Sequence, residues 1–454
     1  MLKLKNIDAT EGPILKKILI YAIPLILGTL IQTLFNAVDM VVLGNMADST
    51  SVAAVGATTA ITSLLINSFI GLSGGAKNIL ARFFGSKDGE RIKRTADTSM
   101  IMALVIGVFI ALVCFFMSPL FLKWTKCPEE CYDGALLYIR CYSLGAPAVM
   151  LYNFGSSILS ASGDTKRPLY YIFASGSLNV ILNIILCLIL PVKVLAVAIA
   201  TLASQVVSAA LVIARLCKME GFGRLELHKL TFCKRSMLQI LRFGLPMALT
   251  HALYPISTLQ IQSAINSYGV AATAGNSAGG TIEGIVSAFV SPFGATAATF
   301  VGQNLGVENK QRVTRSFIHC LWLGFSVGLV LDVIFYIFGA PIFLPMIVGN
   351  DQVAIEYGLI RMSCICLFYW VAGLNTVISN TLQSYGYSLT TTFTSIFTVF
   401  IFRFIWMWFV YPFFETFKVL MLCYTVSWML NLVVNIVCYI IARYRLKKGL
   451  YARI

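Results

Sequence analysis

Long apolar stretches separated by short polar connections dominate the chain. Each stretch is about 20 residues or longer, the length that an α-helix needs to cross the hydrocarbon core of a bilayer. Backbone groups in lipid must be satisfied within the spanning structure, and the roughly ten-residue alternating segments of an outer-membrane barrel are missing from the sequence. The sequence therefore predicts an all-α integral membrane protein with twelve transmembrane helices. The predicted spans are 14–43, 52–82, 95–119, 133–161, 168–190, 195–217, 237–264, 270–302, 315–339, 353–383, 389–411 and 417–442.

Three polar residues interrupt the first stretch on one helical face. Gln32, Asn36 and Asp39 stand at positions i, i+4 and i+7, a spacing that aligns their side chains. A carboxylate at the bilayer centre costs about 2.5–3.5 kcal/mol on insertion scales. We therefore expect this polar stripe to face the interior of the bundle or a water-filled cavity.

Spans 5 and 6 carry more oxygen-bearing side chains. Asn179 and Asn183 lie four residues apart on one face of span 5, and Thr201 lies in span 6. With Asp39, these groups suit a proton site, in which the carboxylate loads and releases a proton, or an oxygen-ligand site for Na+. For the amide and hydroxyl groups, interhelical hydrogen bonding is the alternative interpretation.

The second half of the chain has its own polar face in span 8. Asn276 and Glu283 share this face, so Glu283 is predicted to point toward the interior of that half. It is a candidate to attract a cationic substrate or to bind a second proton. A structural ion pair, for example with Arg403 in span 11, is the alternative. Asp332 in span 9 is interpreted as structural.

The two halves resemble each other at a nearly constant offset in sequence. With six spans each, the halves should insert in the same orientation, related by an axis along the membrane normal. The matching pairs are Pro24 and Pro246, GSKDGERIKR (85–94) and GVENKQRVTR (306–315), and LSASG (159–163) and LQSYG (382–386). The predicted division is an N-terminal lobe over 1–217, a cytoplasmic linker over 218–236 and a C-terminal lobe over 237–454.

Composition and charge agree with a membrane protein and orient it. The chain of 454 residues is 58% hydrophobic and 12% charged, about half the charged share of a soluble protein. Of its Lys and Arg residues, 25 lie on the side of the predicted termini and four lie in the opposite loops. The positive-inside rule then predicts both termini in the cytoplasm. Because the basic residues are scattered between apolar runs, the net charge of +15 does not indicate a nucleic-acid partner.

Sequence signals for enzyme chemistry are missing. The three histidines occur in no HExxH motif, and the chain has no GxSxG or Walker A motif. We therefore expect no cofactor, no enzyme activity and no ATP hydrolysis, so that uphill transport would draw on an ion gradient. Cys127 and Cys131, in the loop sequence CPEEC, leave a disulfide or metal site open.

Five motifs distinguish the sequence: VDMVVLG around Asp39, GDTKRP (163–168), SLNVILN (177–183), AVAIATLASQ (196–205) and FVGQNLG (300–306). In these motifs, and over nearly its whole length, the chain resembles the bacterial multidrug and toxic compound extrusion (MATE) transporters, which implies a location in the bacterial plasma membrane. The resemblance implies antiport, in which H+ or Na+ enters while an amphiphilic, usually cationic compound leaves. It also implies an N-lobe cation site at Asp39, completed by Asn179, Asn183 and Thr201. The chain departs from the family where Asn183 replaces a common second aspartate, which leaves the coupling ion open.

The sequence thus predicts a monomeric secondary antiporter that exports small organic compounds by alternating access. The main alternative is a flippase for lipid-linked precursors with the same two-lobe architecture. Such a protein should place basic residues in a central cavity, where this chain offers few. A membrane-embedded enzyme is a weaker alternative. It would need two or more catalytic groups at the same depth in the membrane, and the sequence shows no such set.

Overall fold

The computed structural model describes residues 6–46, 49–125, 127–349 and 351–448, apart from the side chains of Asn36, Asp39, Met40, Ser49 and Lys447. Helices joined by short loops make up nearly all of this part of the chain. In the first half they are α1 (Ile14–Met46), α2 (Ser49–Ser86), α3 (Gly89–Trp124), α4 (Glu129–Leu144), α5 (Ala146–Ala161), α6 (Lys166–Ile189) and α7 (Lys193–Cys217).

The second half contains more and shorter helices. They are α8 (Lys234–Ser267), α9 (Val270–Gly306), α10 (Lys310–Phe338), α11 (Leu344–Val348), α12 (Gln352–Cys364), α13 (Tyr369–Ser384), α14 (Ser388–Ser395), α15 (Phe402–Ile405), α16 (Tyr411–Phe414) and α17 (Phe417–Lys447). Segments of π-helix at Gly339–Phe343, Ile396–Ile401 and Trp406–Val410 connect several of these pieces.

The predicted membrane spans are close to those of the structure. Among the described residues, ten helices or helical stretches are long and apolar enough to cross a membrane. The pair α4 and α5, bent by 45° at Gly145, makes an eleventh span. The predicted seventh span, 237–264, lies inside α8 but is not among these eleven, because polar residues such as His251 and Gln260 interrupt it. With 34 residues, α8 is nevertheless about 50 Å long, enough to cross a bilayer.

The chain divides into two compact units. The first unit consists of Met1–Asp8 and Ile23–Ala248, and the second consists of Ala9–Ala22 and Leu249–Ile454. Helices α1 and α8 are therefore each shared between the units, with the division close to Pro24 in α1 and to Pro246 in α8. The linker predicted at 218–236 belongs to the first unit, and the lobe boundaries at 217 and 237 stay a prediction.

In the first unit, one apolar cluster joins six helices, and α4 contributes five of its buried residues. It includes Leu43 of α1, Ala54 of α2, Leu122 of α3, Cys187 of α6 and Val194 of α7, all nearly inaccessible to solvent. The ends of odd-numbered predicted spans thus pack against the starts of even-numbered ones, as an up-and-down bundle requires. The twelve cysteines, Cys127 and Cys131 among them, are free thiols in this structure.

In the second unit, one breakpoint is stabilised by a buried carboxylate. The chain leaves α12 at Cys364, makes a short 3-10 turn at Cys366–Phe368 and starts α13 at Tyr369. Asp332 on α10 is fully buried and accepts a hydrogen bond from the Trp370 backbone N–H at 2.9 Å. It thereby satisfies one of the donors that the first turn of a helix leaves open. This contact agrees with the structural role predicted for Asp332.

Each unit also holds the chain segment that leads into a shared helix. In the second unit, Arg312 of α10 donates through its guanidinium to the carbonyl oxygens of Ala9, Glu11 and Gly12, at 3.0 to 3.1 Å. Gln303 Oε1, from the FVGQNLG motif, accepts from the Ala9 N–H at 2.9 Å. We name this arrangement the N-terminal clasp.

The first unit has a matching arrangement before α8. Asp97 Oδ2 accepts from the backbone N–H of Thr231 at 3.2 Å and from its hydroxyl at 3.1 Å. Thr98 Oγ1 accepts from the Cys233 N–H at 3.0 Å. We name this arrangement the linker clasp.

Candidate functional site

Helix α6, which carries two of the predicted site residues, begins at a turn that its sequence dictates. Gly163 has φ of +92°, and a side chain there would collide with the Ile7 carbonyl oxygen, so glycine is required. Asp164 accepts from the backbone N–H of Arg167 at 3.2 Å and forms an ion pair with its guanidinium. A carboxylate at this end of a helix also interacts favourably with the helix dipole. The GDTKRP motif therefore fixes where α6 starts.

Within the first unit, helix α1 packs directly against α6. Gly28 approaches the side chains of Leu169 and Ile172, and Phe35 lies against Gly176 so closely that a Cβ there would be 2.0 Å from the ring. Both contacts advance along the two helices in the same direction. The helices are therefore parallel, although their facing positions are far apart in sequence.

This register brings the predicted polar positions of α1 and α6 to the same level. Asp39 lies one helical turn beyond Phe35, and Asn179 lies nearly one turn beyond Gly176. The side chains of Asp39 and Asn36 lie outside the described residues, so the positions rest on the backbone alone. Gln32, the third member of the predicted stripe, is exposed.

The amide groups of α6 are buried and in contact. Asn179 is 6% exposed and Asn183 is fully buried, and Asn183 Nδ2 donates to Asn179 Oδ1 at 3.3 Å. Helix α6 packs against α7, where Thr201 is half-buried and its carbonyl oxygen accepts from Ser204 Oγ at 2.8 Å. Buried amide groups thus lie on the helix that packs against α1, and Asn183 contacts Asn179.

The second unit joins the predicted residues Asn276 and Glu283 through an arginine. Arg361 on α12 donates through Nη1 to Asn276 Oδ1 and through Nη2 to Glu283 Oε2, each at 2.5 Å. The ion pair is largely buried, with the side chains 10% and 16% exposed. The prediction that both residues share an inward face agrees with this geometry. The suggested pairing of Glu283 with Arg403 is wrong, because Arg361 reaches the carboxylate from α12.

Arg403 forms a separate buried site that sequence reasoning identified only as a possible partner for Glu283. It lies on α15 between two π-helical segments and is fully buried. Its guanidinium lies 4.5 Å from the ring centroid of Tyr424, and that of Arg361 lies 5.7 Å from the same ring. The available sequence signal was the rarity of arginine inside an apolar span. We name Asn276, Glu283, Arg361, Arg403 and Tyr424 the arginine cluster.

The described residues offer no resident metal site of the usual kind. Within residues 6–46, 49–125, 127–349 and 351–448, no three His, Cys, Asp or Glu residues come together in an arrangement that could hold a metal ion.

Comparison with known proteins gives the family. The MatE family model matches twice, over residues 24–185 and 246–409. The two matches begin at Pro24 and Pro246, the pair of prolines that belongs to the internal repeat. Curated relatives include "Probable multidrug resistance protein YpnP" of Bacillus subtilis, 24% identical over 84% of this chain and 85% of the relative. Another is "Probable multidrug resistance protein NorM" of Thermotoga maritima, 24% identical over 86% and 84%.

Solved structures show the same fold. A MATE protein in complex with MaL6 superposes with a TM-score of 0.88 at 21% identity, covering 98% of this chain and 99% of that one. A MOP superfamily transporter from Pyrococcus furiosus gives 0.87 at 21% identity over the same shares. Members of the family are transporters rather than enzymes, in agreement with the prediction. The chain is therefore a multi-pass membrane protein that belongs to the MatE family of transporters.

Proposed function

We propose that the protein is a secondary antiporter that exports amphiphilic, cationic organic compounds in exchange for H+ or Na+. The single observation that carries this proposal is the register of α1 against α6. The contacts of Gly28 and Phe35 set a register that, continued by one helical turn, would bring the Asp39 position to the level of the buried amides of Asn179 and Asn183. A carboxylate position beside buried neutral oxygens is suited to bind a proton or Na+.

The proposed site binds the coupling ion with one formal negative charge. Asp39 supplies that charge, and Asn179, Asn183 and Thr201 supply neutral oxygens; Gln32 and Asn36 extend the polar stripe along α1. An ion shifts the transport cycle only by binding one conformational state better than the other. Protonation or Na+ binding at Asp39 would favour the state that releases substrate outside, and substrate would favour the opposite state.

The membrane location and the orientation of the chain are also part of the proposal. We propose a bacterial plasma membrane with both termini in the cytoplasm, which the excess of Lys and Arg on that side supports. The transporter is proposed to act as a monomer and without a cofactor. The multidrug resistance names of YpnP and NorM support a small organic substrate.

The test is efflux of a fluorescent organic cation from drug-sensitive cells that express the wild type or Asp39→Asn. The variant should reach the membrane in normal amounts and lose export, whereas Asp133→Asn, at an exposed position of α4, should export normally. Collapsing the proton and sodium gradients separately would identify the coupling ion. Full export by well-expressed Asp39→Asn would contradict the proposal.

One observation favours a second candidate, a flippase for lipid-linked anionic precursors. Two arginines, Arg361 and Arg403, are buried among the spans of the second unit, where a phosphorylated headgroup could be attracted. Transfer of a fluorescent lipid pyrophosphate across proteoliposome membranes would test this role. Activity on that lipid without cation efflux would select the flippase.

A further inference from the structure

Arg403 has only neutral partners. Its Nε donates to Ser427 Oγ at 3.3 Å, and its Nη1 donates to Ser257 Oγ at 3.1 Å. The rings of Tyr424 and Tyr254 lie 4.5 and 5.2 Å from its Cζ. Its Nη2 is buried and has no hydrogen-bond partner among the described residues. A fully buried guanidinium thus lacks a carboxylate, in a part of the protein where charges are normally paired.

Arg361 cannot share its counter-charge with Arg403. Glu283 already accepts from Arg361 Nη2, and Asn276 accepts from Nη1. Even so, Arg361 Nε has no partner within the described part of the chain. Two guanidinium groups therefore lie on Tyr424 with a single carboxylate in hydrogen-bond contact with either, which leaves an excess of one positive charge.

Within the arginine cluster, the buried side-chain atoms that have no hydrogen-bond partner are both donors, Arg403 Nη2 and Arg361 Nε. Leaving a buried donor unsatisfied is costly, and more so for a charged one. Stacking on tyrosine rings offsets part of the cost of burying a cation but satisfies no N–H. The partner that would complete the cluster is therefore an acceptor with negative charge.

We propose that the arginine cluster is an anion-binding site that takes one monovalent anion, with Arg403 Nη2 as its principal donor. The anion is either a halide from solution or the carboxylate of a zwitterionic amphiphile. The second source rests on the proposed export function and extends its substrates beyond simple cations.

The first arm of the test measures halide binding by the purified full-length protein in detergent. Chloride is titrated against isethionate, a bulkier anion, at constant ionic strength, and the Tm is followed. Chloride should raise the Tm of the wild type, since a ligand that binds the folded state stabilises it. Arg403→Gln should weaken the apparent affinity at least about tenfold, the size expected for a charged hydrogen bond. Arg403→Lys should retain part of the effect.

The second arm compares rhodamine B, which has a free carboxylate, with its ethyl ester, which does not. Binding to the same purified protein is followed by fluorescence anisotropy. The wild type should bind the acid about tenfold more tightly than the ester, and Arg403→Gln should lose this discrimination. The matched control is Arg140→Gln in the first unit, where a half-buried arginine also lies over an aromatic ring, Phe115 at 5.2 Å. It should behave like the wild type in both arms.

Arg403→Lys, which retains the buried positive charge, keeps the proposal falsifiable if Arg403→Gln fails to fold, and Glu283→Gln adds an independent measurement. Removing the carboxylate raises the excess positive charge, so this variant should bind the anion more tightly than the wild type. A chloride effect alone identifies a solution anion, and discrimination of the acid alone identifies a substrate carboxylate. The proposal is overturned if the wild type shows neither effect, or if both effects persist unchanged in the Arg403 and Glu283 variants. Both arms measure binding, so they decide the question even if the cation-efflux assay fails.

Discussion

The two units repeat one architecture but carry different chemistry at corresponding positions. Counted from the repeated turns LSASG and LQSYG, which end at Gly163 and Gly386, Asn179 and Asn183 correspond to Phe402 and Trp406, which flank Arg403. The polar face of α6 thus becomes, in the second unit, a broken helix with a buried cation. The comparison teaches that the repeat preserves spans and turns, while each half has acquired its own functional groups.

The helices differ together with the chemistry. In the first unit, α6 is continuous over 24 residues and presents two amides four residues apart. In the second unit, π-helical segments precede and follow the four residues of α15. Such segments rotate the side chains that follow them and occur often at functional sites. The continuous helix α6 keeps its two amide side chains on one face. The π-helical segments around α15 change the direction in which the Arg403 side chain points.

The largest effect should come from removing the carboxylate of the second unit. Glu283→Gln leaves the guanidinium of Arg361 buried without its counter-charge, which should lower the free energy of unfolding by about 3 kcal/mol. The expected result is a lower Tm in detergent, while Glu356→Gln, exposed on the same helix as Arg361, should leave it unchanged. Replacing both members of the pair by apolar residues should recover most of the loss. A Tm equal to that of the wild type would show that the ion pair adds nothing to stability.

Features of the fold and of the candidate site that depend on neighbouring residues could be predicted from the sequence. Features that depend on contacts between residues far apart in sequence could not. Eleven spans, the amide pair of α6 and the shared face of Asn276 and Glu283 follow from local period and hydrophobicity, and the structure agrees with them. The partner of Glu283 did not follow, because it lies 78 residues away on α12. Which arginine reaches the carboxylate depends on helix packing, and no local pattern encodes it.

The positions of helix breaks could not be predicted from the sequence either. The break between α12 and α13 lies in a continuous apolar run, where hydropathy predicts one uninterrupted span. It depends on a tertiary contact, the hydrogen bond from Trp370 to Asp332. The sequence pattern led to a structural interpretation of Asp332 but gave no information on which group it contacts.

An intermediate effect should come from separating α1 from α6. Gly176→Val introduces a side chain where Phe35 leaves no room, which should destabilise the first unit by roughly 1–3 kcal/mol and shift Asp39 away from the amides. Cation export should fall more than the Tm alone explains. The matched control is Gly284→Val on α9, where an added Cβ meets nothing within 4 Å. Unchanged export by Gly176→Val would contradict the proposed register of the site.

The smallest losses of stability should come from substitutions in the N-terminal clasp and in the linker clasp. Arg312→Ala removes the guanidinium hydrogen bonds to three carbonyl oxygens of the N-terminal clasp and should cost about 1–2 kcal/mol. Thr98→Val removes one hydrogen bond from the linker clasp and should cost about 1 kcal/mol or less. Limited trypsin digestion should cut faster at Lys16 and Lys17 in the first variant and at Lys234 and Arg235 in the second. Equal cleavage patterns would show that the clasps do not hold their segments.

The shared helices have a consequence for dividing the gene. Because residues 9–22 belong to the second unit and 218–248 to the first, a cut anywhere in the linker leaves each fragment without part of its own compact unit. Neither fragment should accumulate alone as a stable product, whereas co-expression should restore both through exchange of the missing segments. If an ancestral half-length protein exchanged the same segments, it would have been stable only as a dimer. Gene duplication and fusion would then have joined the two subunits of that dimer in one chain.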